Sequence, residues 1–385
     1  MSMIPMRPLL DAADKMGYAN GAFNMNAVCQ IEAALEVHKM LRSPALLQGA
    51  DLANGFMGGK TDFMNSTKED KEKGAINMAH AVQKAVKTYD IPVCLHLDHG
   101  RNIDSVQAAI KGGYTSVMID GSSLSLKENI ELTREVVKIA HPLGVTVEGE
   151  LGVLAGVEDH VFSQTSSYTN PLDAIRFFKE TKVDALAISY GTKHGANKGS
   201  DTVIRKEIAI AVKECMNHEG IEGYLVSHGS SLVPSYIVNE INHLGGAIQN
   251  AHGIKLQQLQ EVIHSGINKV NVDTDIRLAV TRNLREAFIT HPELQEEKVL
   301  SDIWNLMKNN PSAFDPRFYL TPMMDTIMYG TIQNESIQTI VNLIKDGVKE
   351  ILATLIVQFG SYGKAPLVKE VTLEQMADFY KEKGI

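Results

Sequence analysis

Cysteine is scarce in this chain and tryptophan nearly missing, 3 and 1 among 385 residues. Cys29, Cys94 and Cys215 are odd in number and far apart, so no disulfide framework is indicated. Positive charge is also in deficit. Lys and Arg total 37 against 46 Asp and Glu, for a net charge of −9 and a pI near 5.8. That balance argues against a nucleic-acid or anionic-membrane surface, though not against a local basic pocket for a phosphorylated metabolite. No apolar run reaches the roughly 18 residues a membrane-spanning helix needs, and no basic-then-apolar signal opens the chain. A cytoplasmic protein with no nucleic-acid and no membrane partner is expected.

What is present is a globular composition, 44% hydrophobic and 22% charged, with length enough for a large core. Short apolar runs rich in β-branched residues recur: 21–24, 44–50, 91–98, 116–120, 145–151, 185–191, 223–229 and 269–275. Helical patterns separate them, such as AVCQIEAALEVHKML and LKENIELTREVVKIAHPLG. The second sets Leu132, Val136 and Ile139 on one face and offers Gly144 as a stop. Strands alternating with helices imply a parallel sheet with right-handed crossovers. Eight such units predict an α/β fold, a (β/α)8 TIM barrel, over an open doubly wound sheet. No G-x-G-x-x-G follows the first strand, and polar residues end nearly every strand. Those ends converge on one mouth only in a barrel.

The chain reads as one barrel domain over 1–385, with a core to about 289 and a C-terminal helical extension from about 290. The extension carries ESIQTIVNLIKDGVKEILATLIVQF, and the charged, glycine-flanked stretch 58–75 reads as an excursion or mobile loop.

Three histidines, His99, His194 and His228, lie at or just past three strand ends, each followed by glycine. Imidazole is a good zinc ligand, and catalytic zinc keeps three protein ligands and one open position. His96 and Asp98 share a strand face. Asp98 can orient a ligand or move a proton, and His96 reads as a packed neighbour. Carboxylates gather at the same mouth: Asp120, Glu148, Glu150 and, in a glycine-rich loop, Glu158. Asn271, Asp273 and Thr274 end the eighth strand, and the loops after strands seven and eight commonly bind phosphate in such barrels.

The set AFNMNA, HLDHG, SVMIDGS, VEGELG, GTKHG, HGSS, KVNVDTD, FDPRFYL and FGSYGKA resembles the class II, zinc-dependent fructose-bisphosphate aldolases, in order over nearly the whole chain. The resemblance implies a glycolytic and gluconeogenic lyase that interconverts fructose 1,6-bisphosphate with dihydroxyacetone phosphate and glyceraldehyde 3-phosphate. It implies catalytic Zn2+ on His99, His194 and His228, with Asp120 and Glu150 at a second cation site, divalent or monovalent. Asp98 would work on the aldehyde oxygen, and Glu158 would be the loop glutamate that carries a proton. Gly195, Gly229, Ser231, Asn271, Val272, Asp273 and Thr274 match the triose-phosphate site. Asn24 and Lys198 fall on the substrate side. Arg317 matches an arginine that grips the far phosphate, supplied by a neighbouring subunit in some members. A homodimer or homotetramer is the assembly expected from the family.

Two departures touch substrate choice. Many relatives read Gln-x-Ser after the second strand, where this chain has Gln48-Gly49-Ala50, and many read Tyr-Lys where it has Asn197-Lys198. The stretch 323–356 also looks longer than usual. Tagatose 1,6-bisphosphate or a C6-modified fructose 1-phosphate is the alternative substrate. A non-catalytic partner barrel is disfavoured by the intact histidines and Asp98. A zinc hydrolase is disfavoured by the absence of any hydrolase motif.

Overall fold

Runs of Val, Ile and Leu too short for helices and buried on both faces form parallel strands, because neither face is available to solvent. The computed structural model describes residues 3–158, 161–163, 167–199 and 202–385. The eight barrel strands are β1 (Asn20–Asn24), β2 (Ala45–Ala50), β3 (Val93–Gly100), β4 (Ser116–Ile119), β5 (Thr146–Leu151), β8 (Ala185–Ile188), β9 (Tyr224–Ser227) and β10 (Ile267–Val272). They close in the order β1-β10-β9-β8-β5-β4-β3-β2, all pairs parallel. Between β5 and β8 a short antiparallel hairpin, β6 (Gly156–Glu158) with β7 (Val161–Ser163), stands where the sequence suggested only a glycine-rich loop.

All eight predicted strands are present, and the differences lie at their edges. The eighth stops at Val272, because Thr274 already opens the helix Thr274–Thr290. The stretch 58–75 is not one loop. Thr67 and Asp70 form a reciprocal capping box, which satisfies two N–H groups at once and starts the helix Lys68–Val86 inside it. In the helix Leu126–Ala140 the buried stripe is Ile130, Thr133, Val136, Val137 and Ala140, so Leu132 and Ile139 sit at its margin. Gly144 does end this region, at φ +72.

An element the sequence reading did not place, the helix Arg7–Met16, closes the bottom of the barrel. Met6, Leu9 and Leu10 pack with Ala22, Leu46, Cys94, Ala187 and Val226, which point into the barrel from its strands. The C-terminal part is helical as expected: Lys298–Asn309, Met324–Tyr329, Glu335–Gln358 and Leu373–Lys383. The long helix Glu335–Gln358 lies on the outer helices, with Lys345 paired to Glu36 at 2.9 Å and Arg282 paired to Glu350. No helix among the described residues is long and apolar enough to cross a membrane.

Candidate active site

Alternation along β3 would send Asp98 into the barrel and His99 out of it. The strand breaks that rule. Its pairing with β4 shifts between Leu97 and Gly100, and His99 has φ +46. A bulge of this kind re-aims a side chain, so two consecutive residues both reach the mouth. His194 comes from the loop after β8, and its N–H donates to Ala155 O at 2.8 Å. That approach requires Gly156, where an added Cβ would lie 2.3 Å from His194 O. His228 follows β9.

The three imidazoles converge with one nitrogen each inside a 4.8 Å cluster. In His228 and His99 the second nitrogen faces a carboxylate. His228 Nε2 faces Glu148 Oε1 at 2.9 Å, which leaves Nδ1 on the side of His99 Nε2, 3.1 Å away. His99 Nδ1 faces Asp120 Oδ2 at 3.1 Å. A carboxylate behind a histidine fixes its ring and strengthens it as a ligand. Burial, then the neighbouring His99, pushes His194 down to about 3 and His228 well below the ordinary histidine range. Neutral rings of this sort are what a metal ion needs.

Asp98 is fully buried and accepts from two amides, Asn24 Nδ2 at 3.1 Å and Asn271 Nδ2 at 2.8 Å. Each amide is oriented from behind. Gln48 donates to Asn24 Oδ1, and Lys269 Nζ donates to Asn271 Oδ1 at 2.7 Å. Lys269 also pairs with Glu148 Oε2 at 2.9 Å, with both side chains at 0% exposure. One buried lysine therefore supports the carboxylate behind His228 and the amide that holds Asp98. His96 is a packed neighbour, as expected, with Nδ1 2.8 Å from Ser116 Oγ and Nε2 3.5 Å from Glu148.

Asp120 and Glu150 lie with His99 in a second cluster that could hold a metal ion. Burial raises Asp120, but the hydrogen bonds from His99 and Ser122 outweigh it and hold its carboxyl well below the usual range. Glu150 Oε2 stands 3.4 Å from His228 Nδ1 and 4.0 Å from His99 Nδ1. The backbone of Glu158 lies in β6, and its side chain lies outside the described residues.

At the rim, Gly195, Asp273, Thr274 and Arg317 line one cavity of about 350 Å³. Arg317 reaches it from the extension of its own chain. Its guanidinium bonds Asp315, with Nη2 to Oδ2 at 2.8 Å, and lies 4.5 Å over the Phe63 ring. Arg277 joins Asp315 to Asp273, with Nη1 to Asp315 Oδ2 at 3.1 Å and Nε to Asp273 Oδ1 at 2.7 Å. Lys198 is buried beneath the rim, its Nζ donating to Lys193 O at 2.5 Å. Gly229 and Ser231 lie in the loop after β9. The sequence reading missed Lys269, Arg277 and Asp315. Lys269 shares the inward phase of Asn271 and Asp273, Arg277 is four residues after Asp273 on a helix, and Asp315 stands within FDPR, so each carried a usable signal.

The family model described as "Fructose-bisphosphate aldolase class-II" matches residues 4–364. The chain is 36% identical to a fructose-bisphosphate aldolase of Nostoc sp., covering 99% of this chain and 96% of that one. It is also 36% identical to a fructose-bisphosphate aldolase of Giardia intestinalis, covering 99% and 100%.

The chain belongs to the class II fructose-bisphosphate aldolase family.

A solved fructose-bisphosphate aldolase from Campylobacter jejuni superimposes with a TM-score of 0.67 at 21% identity, over 94% of this chain and 97% of that one. The YdjI aldolase of Escherichia coli K12 gives 0.63 at 24%, over 94% and 99%. Both show the same barrel fold. Class II aldolases are metal-dependent aldehyde-lyases, and the buried three-histidine cluster suits that chemistry.

Proposed function

We propose that this class II aldolase cleaves fructose 1,6-bisphosphate reversibly, with one zinc ion on His99, His194 and His228. The reading is carried by the convergence of those three imidazoles, from three strand ends, beside a buried Asp98. Three neutral nitrogen donors with room for a fourth ligand suit a catalytic zinc. Zinc bound there supplies Lewis-acid polarisation of the ketose carbonyl. Asp98 receives the proton of the C4 hydroxyl, and Asn24 and Asn271 hold its carboxylate still while it does so. Glu158 is assigned the proton at the carbon through the family resemblance. Gly195, Gly229, Ser231 and Asn271 to Thr274, with Lys198 beneath them, take the C1 phosphate. Arg317 takes the far phosphate, where its planar fork suits a bidentate grip. Asp120 and Glu150 serve a second or exchanging cation, and the working form is a cytoplasmic homodimer or homotetramer.

The test is metal removal and return. A strong chelator should abolish release of dihydroxyacetone phosphate from fructose 1,6-bisphosphate, and zinc or cobalt should restore it. Inactivation by borohydride in the presence of substrate would instead reveal a Schiff base. A second reading, cleavage of tagatose 1,6-bisphosphate or another ketose 1-phosphate, is favoured by Ala50. It is aligned with Asp98 across the β2–β3 pair and lacks the hydroxyl of many relatives. Ketose 1-phosphates differing at C4 and C6, compared by kcat/KM, separate the two.

A further inference from the structure

Val233 has φ +48, a left-handed backbone that a β-branched residue enters only at a cost. It lies just past Gly229 and Ser231, in the loop after β9. The two N–H groups at this turn converge on one carboxylate. Leu232 N donates to Asp275 Oδ2 at 2.9 Å, and Val233 N donates to Asp275 Oδ1 at 2.7 Å. Asp275 is 1% exposed and sits in the first turn of the helix after β10, directly beyond Asp273 and Thr274. Its side chain thus joins the loops after the seventh and eighth barrel strands, the pair that commonly forms the phosphate site of such barrels. The rest of the loop is fixed by other means. Ser230 Oγ meets Ser227 Oγ at 2.5 Å, and Ile254 N donates to Ser231 O at 3.2 Å. Gly253 passes so close that a Cβ there would lie 1.9 Å from Leu232 O.

We propose that Asp275 is a positioning residue for the phosphate loop: it holds the Leu232–Val233 turn in its left-handed form and so sets Gly229 and Ser231 against Asp273 and Thr274. It acts through the loop and touches no substrate. The inference rests on the placement of the C1 phosphate given above.

The experiment uses the zinc-loaded full-length protein and inorganic phosphate as the probe, measured as an inhibitor of ketose cleavage. Metal content, KM and kcat are read on the same samples. Ser231→Ala and Asp275→Ala should each weaken phosphate by about tenfold or more, the range of a lost hydrogen bond to a charged group. KM should rise in step, with metal content unchanged. Asp275→Asn keeps one acceptor and should fall between, and it carries the test if the alanine variant does not fold. Adding Val233→Gly to Asp275→Ala should return part of the lost affinity, because glycine adopts φ +48 without strain. If Ser231→Ala leaves phosphate affinity unchanged, the phosphate is not there, and the placement and the inference fall together. If Ser231→Ala weakens phosphate while neither Asp275 variant does, the inference alone is overturned. Failure of Val233→Gly to restore anything, or loss of metal in the Asp275 variants, overturns it too, since neither result is loop positioning.

Discussion

His99 presents its two nitrogens to two different groups, Nε2 toward His228 and Nδ1 toward Asp120. A neutral imidazole donates from one nitrogen and ligates with the other, so the three-histidine set and the His99–Asp120–Glu150 set compete for one ring. Titration of the metal-free protein should therefore give one tightly held zinc per chain, and two equally tight equivalents would show that the ring bridges. Asp98 stands beside this cluster without belonging to it. Asp98→Ala should keep its metal content while turnover falls by roughly 10²- to 10⁴-fold, and metal loss would make Asp98 a ligand or its support. Away from the site, burial pushes His38 down to about 3 from 6.5. The unfolded chain takes up this proton below pH 6.5 and the folded protein does not, so His38 costs stability as pH falls from 6.5 toward 3. The slope is roughly 1.4 kcal/mol per pH unit. Urea midpoints between pH 7 and 5 should fall more steeply for the wild type than for His38→Leu. The convergence of His99, His194 and His228 was legible in the sequence because strand-end glycines marked them. Lys269 was not, because a lysine in a strand is read as solvated until the inward phase of Asn271 and Asp273 is applied to it.

At the scale of elements, β5 and β10 face each other across the barrel through Glu148 and Lys269, both at 0% exposure. Breaking such a pair from one side leaves an uncompensated buried charge, which costs about 3–5 kcal/mol. Lys269→Met should lower stability by that order in urea unfolding. The double variant Lys269→Met with Glu148→Gln should recover part of it. Strands were the readable elements, since eight apolar runs bounded by turn residues leave few alternatives. The misplaced boundaries have local causes. Asp273 to Asp275 reads on from β10 because all three are polar, and nothing in their pattern says that a helix has begun. The helix Arg7–Met16 has no side-chain cap at Met6, and a proline near its start is its main signal. The capping box at Thr67 was in view, but the charge density of 58–75 masked it.

Across the whole molecule, the two ends of the chain meet at the bottom of the barrel. Asp184, just before β8, accepts from Arg7 Nη1 at 2.7 Å and Tyr380 Oη at 2.9 Å, with His141 Nε2 at 3.0 Å. The His141 and Tyr380 rings stack with centroids 3.7 Å apart. Tyr380→Phe removes one hydrogen bond to a buried carboxylate and should lower stability by about 1.5–3 kcal/mol. It should leave kcat and KM unchanged, because the histidines lie at the other end of the strands. A fall in kcat at full metal content would mean that the C-terminal helix reaches the site.

The helix Arg7–Met16 and the side chains above it leave the barrel a well with one opening. Met6, Leu9 and Leu10 seal the floor, and His96, Glu148 and Lys269 fill the layer beneath the histidines, each at 0% exposure. Traffic into and out of such a well passes through the mouth alone, past Gly195, Asp273, Thr274 and Arg317.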